Sequence, residues 1–174
     1  MGRDKTQLVV GGTSLARRNA DLLQLITDTA IEVGPGHSDL RVTLEAPAGE
    51  GPLAAITAGR RALRDAGHHG AALVIGCDLP FLSLALLQFL AEYDAPGTVL
   101  PVVDGRVQPL CAKWGAFDLD QASELVASGV RSLRHLVDQP NVTLLDESTW
   151  GHVATAETFA DIDFPEDLVR YGLA

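Results

Sequence analysis

Short apolar runs alternate along the chain with longer stretches whose apolar residues recur at helical spacing. Gln7 to Val10 is one such run, broken by Gly11-Gly12. Thr13-Ser14 then supply helix N-cap chemistry, and Leu15, Leu22, Leu25 and Ile26 follow on one helical face. Thr29 to Val33 reads as a strand closed by Gly34-Pro35-Gly36, and Leu40 to Leu44 alternates as another. Gly51-Pro52 opens a second helix with proline in its first turn, and Leu53, Ile56 and Leu63 form its apolar face. Ala71 to Ile75 is apolar without alternation, which is how a strand covered on both faces reads.

Gly76-Cys77-Asp78-Leu79-Pro80 ends that strand, and Ser83 caps a helix running to Tyr93. Thr98 to Val103 and Val107 to Trp114 are strands on either side of Asp104-Gly105, a strong hairpin signal. Helices are expected over 118–128 and 131–138, a strand over Val142 to Leu145, and a last helix from Pro165. This alternation predicts one domain over 1–174 with an open α/β sheet, mixed but mostly parallel. Ligands of such sheets sit outside the C-terminal ends of the strands.

Composition changes this picture little. At 174 residues and 47% hydrophobic, the chain can bury a core without metal or disulfide staples. No apolar run approaches the ~18 residues of a membrane helix, and Met1 to Lys5 lacks the apolar stretch of a secretory signal. Two cysteines, Cys77 and Cys111, lie in apolar segments, so both read as core in a reduced, cytoplasmic protein. The five histidines show no metal-ligand spacing. Charge is more informative. The chain carries −10 overall, yet its first twenty residues hold Arg3, Lys5, Arg17 and Arg18 against Asp4 alone. The acidic body excludes nucleic acid and anionic membranes as partners, and the basic end is where an anion would bind.

Candidate chemistry therefore falls on residues that end strands. Asp78 could hold Mg²⁺, which binds through one or two carboxylates plus substrate phosphates; the alternative is a turn residue before Pro80. Asp161 and Asp163 share one side of an extended segment and offer a second ligand contact or a polar cap for the last helix. Lys5 and Arg3 are the phosphate candidates. Gly51-Pro52-Leu53-Ala54 is a glycine loop at a helix start, where free N–H groups meet polar ligand atoms. Arg131 and Arg134 could meet an anionic second substrate.

Five short motifs in order carry a resemblance. Met1-Gly2-Arg3-Asp4-Lys5 resembles the second half of the L-A-G-G-x-S-x-R-M-G-x-D-K signature of the molybdenum cofactor guanylyltransferases (MobA type). Gly51-Pro52-Leu53-Ala54 resembles their G-P-L-A-G loop, Cys77-Asp78-Leu79-Pro80 their C-D-[ML]-P metal motif, and Gln108-Pro109-Leu110 their substrate-side strand. Phe159 to Leu168 resembles the closing F-x-N-[IV]-N-T-P-E-[DE]-L. The resemblance implies a Rossmann-like three-layer α/β/α fold of nucleotidyltransferase type. It implies transfer of GMP from GTP to molybdopterin cofactor with release of pyrophosphate. It casts Asp78 as the Mg²⁺ ligand and Lys5, with Arg3, as the triphosphate contact. Gly51, Pro52, Leu53 and Ala54 would contact base and sugar, and Arg131, Asp161 and Asp163 the pterin side. A molybdenum cofactor-handling protein or an apo-molybdoenzyme would be the protein partner.

The chain departs from the family pattern at several points. Ala55 replaces the last glycine of G-P-L-A-G, Asp161 and Asp163 replace asparagines, and where the family often has an aspartate just before the loop, Glu45 is the nearest acid after the strand over Leu40 to Leu44. The chain also starts in mid-signature, so the first strand and its glycine-rich half-loop are expected to be missing from these residues. CTP in place of GTP, another small phosphate acceptor, and a non-catalytic accessory paralogue are the alternatives.

Overall fold

The computed structural model describes residues 9–10, 12–46, 49–162 and 165–173. At the N-terminal side, β1 (Val9–Val10) and β2 (Thr13–Ser14) pair antiparallel. The Ser14 hydroxyl oxygen then accepts the Arg17 N–H and starts α1 (Leu15–Gln24). Next come β3 (Ile31–Val33) and β4 (Arg41–Thr43), a parallel pair, followed by α2 (Pro52–Asp65). The loop between β3 and β4 is held by one carboxylate. Glu32 accepts from the backbone N–H groups of Gly36, His37 and Ser38 and from the Ser38 hydroxyl. Burial pushes this carboxyl up, but those hydrogen bonds outweigh it and hold it below its ordinary value.

The larger sheet contains β5 (Ala72–Ile75), β6 (Val99–Val103), β7 (Arg106–Val107), β8 (Cys111–Trp114) and β9 (Thr143–Leu145). Its path is β5-β8-β6-β7, with β9 on β6. β8 runs antiparallel to both β5 and β6, whereas β9 is parallel to β6. β5, β6 and β9 therefore point one way, and the mixed character comes from the β7–β8 return. Asp104 (φ 48°) and Gly105 (φ 74°) make the expected turn with two positive φ values. The expected strand from Val107 to Trp114 is interrupted. Pro109 cannot donate to a ladder, and the Gln108–Leu110 turn it forms is closed by the Cys111 N–H on the Gln108 carbonyl and the Trp114 Nε1–H on the Pro109 carbonyl.

Alternating strand residues feed two cores, one on each face of the sheet. Val99 and Cys111 pack with α3 (Leu84–Glu92), Leu145 and Trp150; Leu100 and Ala112 pack with α2, α4 (Ala116–Ala127) and α5 (Arg134–Val137). This is the three-layer α/β/α arrangement. Ser83 caps α3 as expected, its hydroxyl accepting the Leu86 N–H. The helix expected over 131–138 is only the single turn of α5. A short α6 (Glu147–Trp150), capped by Asp146, was not legible, and α7 (Pro165–Arg170) closes the described chain. Cys111 is buried as expected, but Cys77 is exposed, because it lies past the strand end rather than in it. No helix among the described residues is long and apolar enough to cross a membrane.

Candidate functional site

The turn after β5 is built on a glycine. The Gly76 N–H donates to the Leu110 carbonyl at 2.7 Å, and its own carbonyl accepts from Asn19 Nδ2 of α1 at 3.1 Å. A Cβ on Gly76 would lie 2.7 Å from Asp78 Oδ1. The carboxylate folds back over the bare glycine into space that no other residue type leaves open. Two residues past Gly76, the Asp78 carbonyl accepts the Ile162 N–H at 3.1 Å. The structure thus brings Asp78 and the Asp161–Ile162 segment together at the end of a sheet strand, with Asp161 exposed and Ile162 fully buried as the anchor.

The start of α2 forms the neighbouring part. Gly51 is its N-cap with φ 92°, a conformation that favours glycine, and Pro52 occupies the first turn without a side-chain cap. Among the described residues nothing lies within 4 Å of where a Gly51 Cβ would be, so toward them this helix start is open. Leu53 and Ala54 turn their side chains into the core and can offer a ligand only backbone. Arg131 comes to the same end of α2. Its Nε pairs with Glu50, and its Nη1 donates to the carbonyls of Val126 and Val130. These contacts join Arg131 to the Gly51 loop rather than to Asp161. Arg134 is exposed and reaches Asp138 on its own helix.

Glu45, two residues past β4, has a buried Oε2 without a hydrogen-bond partner among the described residues. A buried acceptor left unmatched costs about 1–3 kcal/mol, so this oxygen is suited to a ligand's N–H donors. Among the described residues no group of three or more His, Cys, Asp or Glu could hold a metal. The donor set fits Mg²⁺ nonetheless, because that ion needs only one or two carboxylates when phosphates and water complete its shell. Arg3, Lys5 and Asp163 lie outside the described residues.

Residues 1–144 match the model of the MobA-like NTP transferase domain. A probable molybdenum cofactor guanylyltransferase of Mycolicibacterium paratuberculosis is 32% identical over 174 residues, covering 93% of this chain and 86% of that protein. One of Pelotomaculum thermopropionicum is 27% identical over 177 residues, covering 98% and 84%. Among solved structures, molybdopterin-guanine dinucleotide biosynthesis protein A from Archaeoglobus fulgidus aligns with TM-score 0.72 at 21% identity, over 97% of this chain and 89% of that one. The 2-C-methyl-D-erythritol 4-phosphate cytidylyltransferase of Thermus thermophilus aligns with TM-score 0.64 at 19% identity, over 97% and 92%. At these identities the two structures speak for the nucleotidyltransferase-type fold.

Proposed function

The chain belongs to the MobA-like NTP transferase domain family, and on that premise we propose that it transfers GMP from GTP to molybdopterin cofactor, making the guanine dinucleotide form and pyrophosphate. The observation that carries this reading is the 32% identity to a probable molybdenum cofactor guanylyltransferase over nearly the whole chain.

In this reaction a terminal phosphate oxygen of the molybdopterin attacks the α-phosphorus of GTP. The bond from that phosphorus to the α–β bridging oxygen breaks, and pyrophosphate leaves with the bond electrons. The protein's contribution is positioning and charge stabilisation. Asp78, held over Gly76 at the strand end, would hold Mg²⁺, and that ion when bound would neutralise charge on the phosphates. Lys5, with Arg3, would place positive charge on the triphosphate. Gly51 and Pro52 would pass close to base and sugar, with Leu53 and Ala54 offering backbone alone.

Glu45 favours GTP over CTP. Guanine offers N1–H and N2–H groups side by side, a donor edge that a buried carboxylate oxygen without a partner would satisfy. Asp161 beside Asp78 would face the second substrate, where two carboxylates tolerate an anionic pterin phosphate only with a cation between them. Arg131, held on Glu50, would contribute through the Gly51 loop, and Asp163 would continue the Asp161 side. The product would pass to a molybdenum cofactor-handling protein or an apo-molybdoenzyme.

The experiment is a turnover assay with molybdopterin cofactor and Mg²⁺, comparing GTP with CTP by pyrophosphate release. Release with GTP supports the reading, and faster release with CTP overturns the base assignment. Tight nucleotide binding with no pyrophosphate under any condition would make the chain a binding paralogue instead.

A further inference from the structure

The buried face of α1 consists of Leu15, Ala16, Asn19 and Ala20. Asparagine is out of place in that company. It is a poorer helix former than leucine or alanine, and a buried amide costs stability unless it is hydrogen-bonded. Asn19 is only 4% exposed, and it spends its amide on the turn after β5, where Nδ2 donates to the Gly76 carbonyl at 3.1 Å. A carbonyl only accepts, so the nitrogen must be the end of the amide that faces it.

That carbonyl lies where the turn needs control. The β5–β8 ladder ends at the pair Ile75 and Cys111, so the Gly76 carbonyl is past the last registered pair. Gly76 has no Cβ, and this is what admits Asp78 Oδ1 beside it. The same absence removes the steric brake on the Gly76–Cys77 peptide, since glycine reaches backbone states closed to other residues. Rotation of that peptide plane carries Asp78 with it. Elsewhere the turn is held by backbone bonds, from the Gly76 N–H to the Leu110 carbonyl and from the Ile162 N–H to the Asp78 carbonyl. These bonds hold the peptide planes before Gly76 and after Asp78, and the Asn19 amide grips a plane between them.

We propose that Asn19 is a positioning residue for the metal site, locking the Gly76–Cys77 peptide so that the Asp78 carboxylate meets Mg²⁺ in one orientation. This role rests on the reading of Asp78 as the Mg²⁺ ligand and extends it to the residue that sets the carboxylate's aim. Asn19 acts through the backbone and takes no part in the transfer itself. Partners that orient a metal ligand in this way typically govern metal affinity by about 10–100-fold.

Asn19→Leu keeps the shape of the side chain without its N–H donor. Asn19→Ala, too small to clash, is measured beside it, and both are checked for folding by circular dichroism. In the metal-free protein, amide exchange followed by NMR should speed up at Gly76 and Ile162, whose N–H groups close the turn, while the amides of α4 keep the parent's rates. Calorimetry of GTP binding should show the half-saturating Mg²⁺ concentration raised about tenfold, with binding of GTP alone unchanged. In an Asp78→Ala background the same substitution should change GTP binding no further, because residues that act as one unit are not additive. Unchanged exchange at both amides, an unshifted Mg²⁺ requirement, or an equal loss in the Asp78→Ala background overturns the role of Asn19 and leaves the reading of Asp78 standing. Loss of folding in both variants makes the residue structural and overturns the role as well. A parent protein whose GTP binding does not depend on Mg²⁺ overturns both.

Discussion

Asp78 Oδ1 occupies the position beside Gly76 that any larger residue would contest, 2.7 Å from the missing Cβ. The atom that would have to yield is the end of a short side chain, so yielding costs little stability but moves the carboxylate. Gly76→Ala is therefore expected to change unfolding free energy by no more than about 1 kcal/mol while lowering kcat about tenfold or more. Mg²⁺ with GTP is expected to raise the melting temperature, and Asp78→Ala should abolish the Mg²⁺-dependent part of that rise. Calorimetry beside steady-state kinetics separates the two effects, and a Gly76→Ala enzyme with full turnover would remove Asp78 from the catalytic role.

Glu45 is expected to read the nucleotide base. Glu45→Gln keeps shape but turns half of the acceptor group into a donor, which faces the guanine N–H groups wrongly. The KM for GTP should rise about tenfold or more, with CTP changing far less. Because Oε2 has no hydrogen-bond partner among the described residues, the variant should be as stable as the parent or slightly more so. Equal KM changes for both nucleotides would show that Glu45 does not discriminate between them.

The strand ends were legible because they are local chemistry. Gly76 to Pro80 reads as a strand stop, Gly51-Pro52 as a helix start, and Asp104-Gly105 as a turn, and each needs only its neighbours. What the sequence hid depends on distant partners. Asn19 looks like any polar helix residue until the carbonyl of Gly76, fifty-seven positions away, is seen against it. Cys77 reads as core because it follows five apolar residues and a glycine, yet the turn carries it outward. Arg131 reads as a contact on the second-substrate side, and its place at the start of α2 is set by Glu50, remote in sequence.

Arg60 illustrates a distant partnership that governs stability. Its side chain is 2% exposed and donates from Nε to Asp120 at 2.7 Å, while its other nitrogens bond the carbonyls of Gly70 and His69. The hydrogen bond from Arg60 is the main reason the Asp120 carboxyl is held below its ordinary value; burial opposes this, and the charges of Arg60 and Arg64 assist it. A lowered carboxyl stabilises the fold above its unfolded value, near pH 4, and loses that contribution as pH falls through the lowered folded value. Asp120→Asn should cost about 2 kcal/mol at pH 7, because the buried guanidinium loses its counter-charge. The deficit relative to the parent should shrink below about pH 4. Urea denaturation at pH 7 and pH 3 measures this, and a deficit that is unchanged at pH 3 would mean that charge is not the cause.

The two cysteines should report the accessibility of the site. Cys77 is exposed beside Asp78, whereas Cys111 is buried and its thiol is pushed up to about 12 by that burial. A maleimide at neutral pH reacts with thiolate, so Cys111 is protected twice, by access and by ionisation. The native protein should take up a single label, at Cys77, and the urea-unfolded protein should take up a second. A label at Cys77 places bulk against the Gly76–Pro80 turn, so activity should fall in step with labelling. GTP with Mg²⁺ should slow the reaction by covering that turn. A Cys77→Ser enzyme should keep most of its turnover and become resistant to the reagent, since the thiol itself has no step in the transfer. Mass spectrometry of the labelled peptides checks both sites, and inactivation of Cys77→Ser at the parent's rate would place the sensitive residue elsewhere.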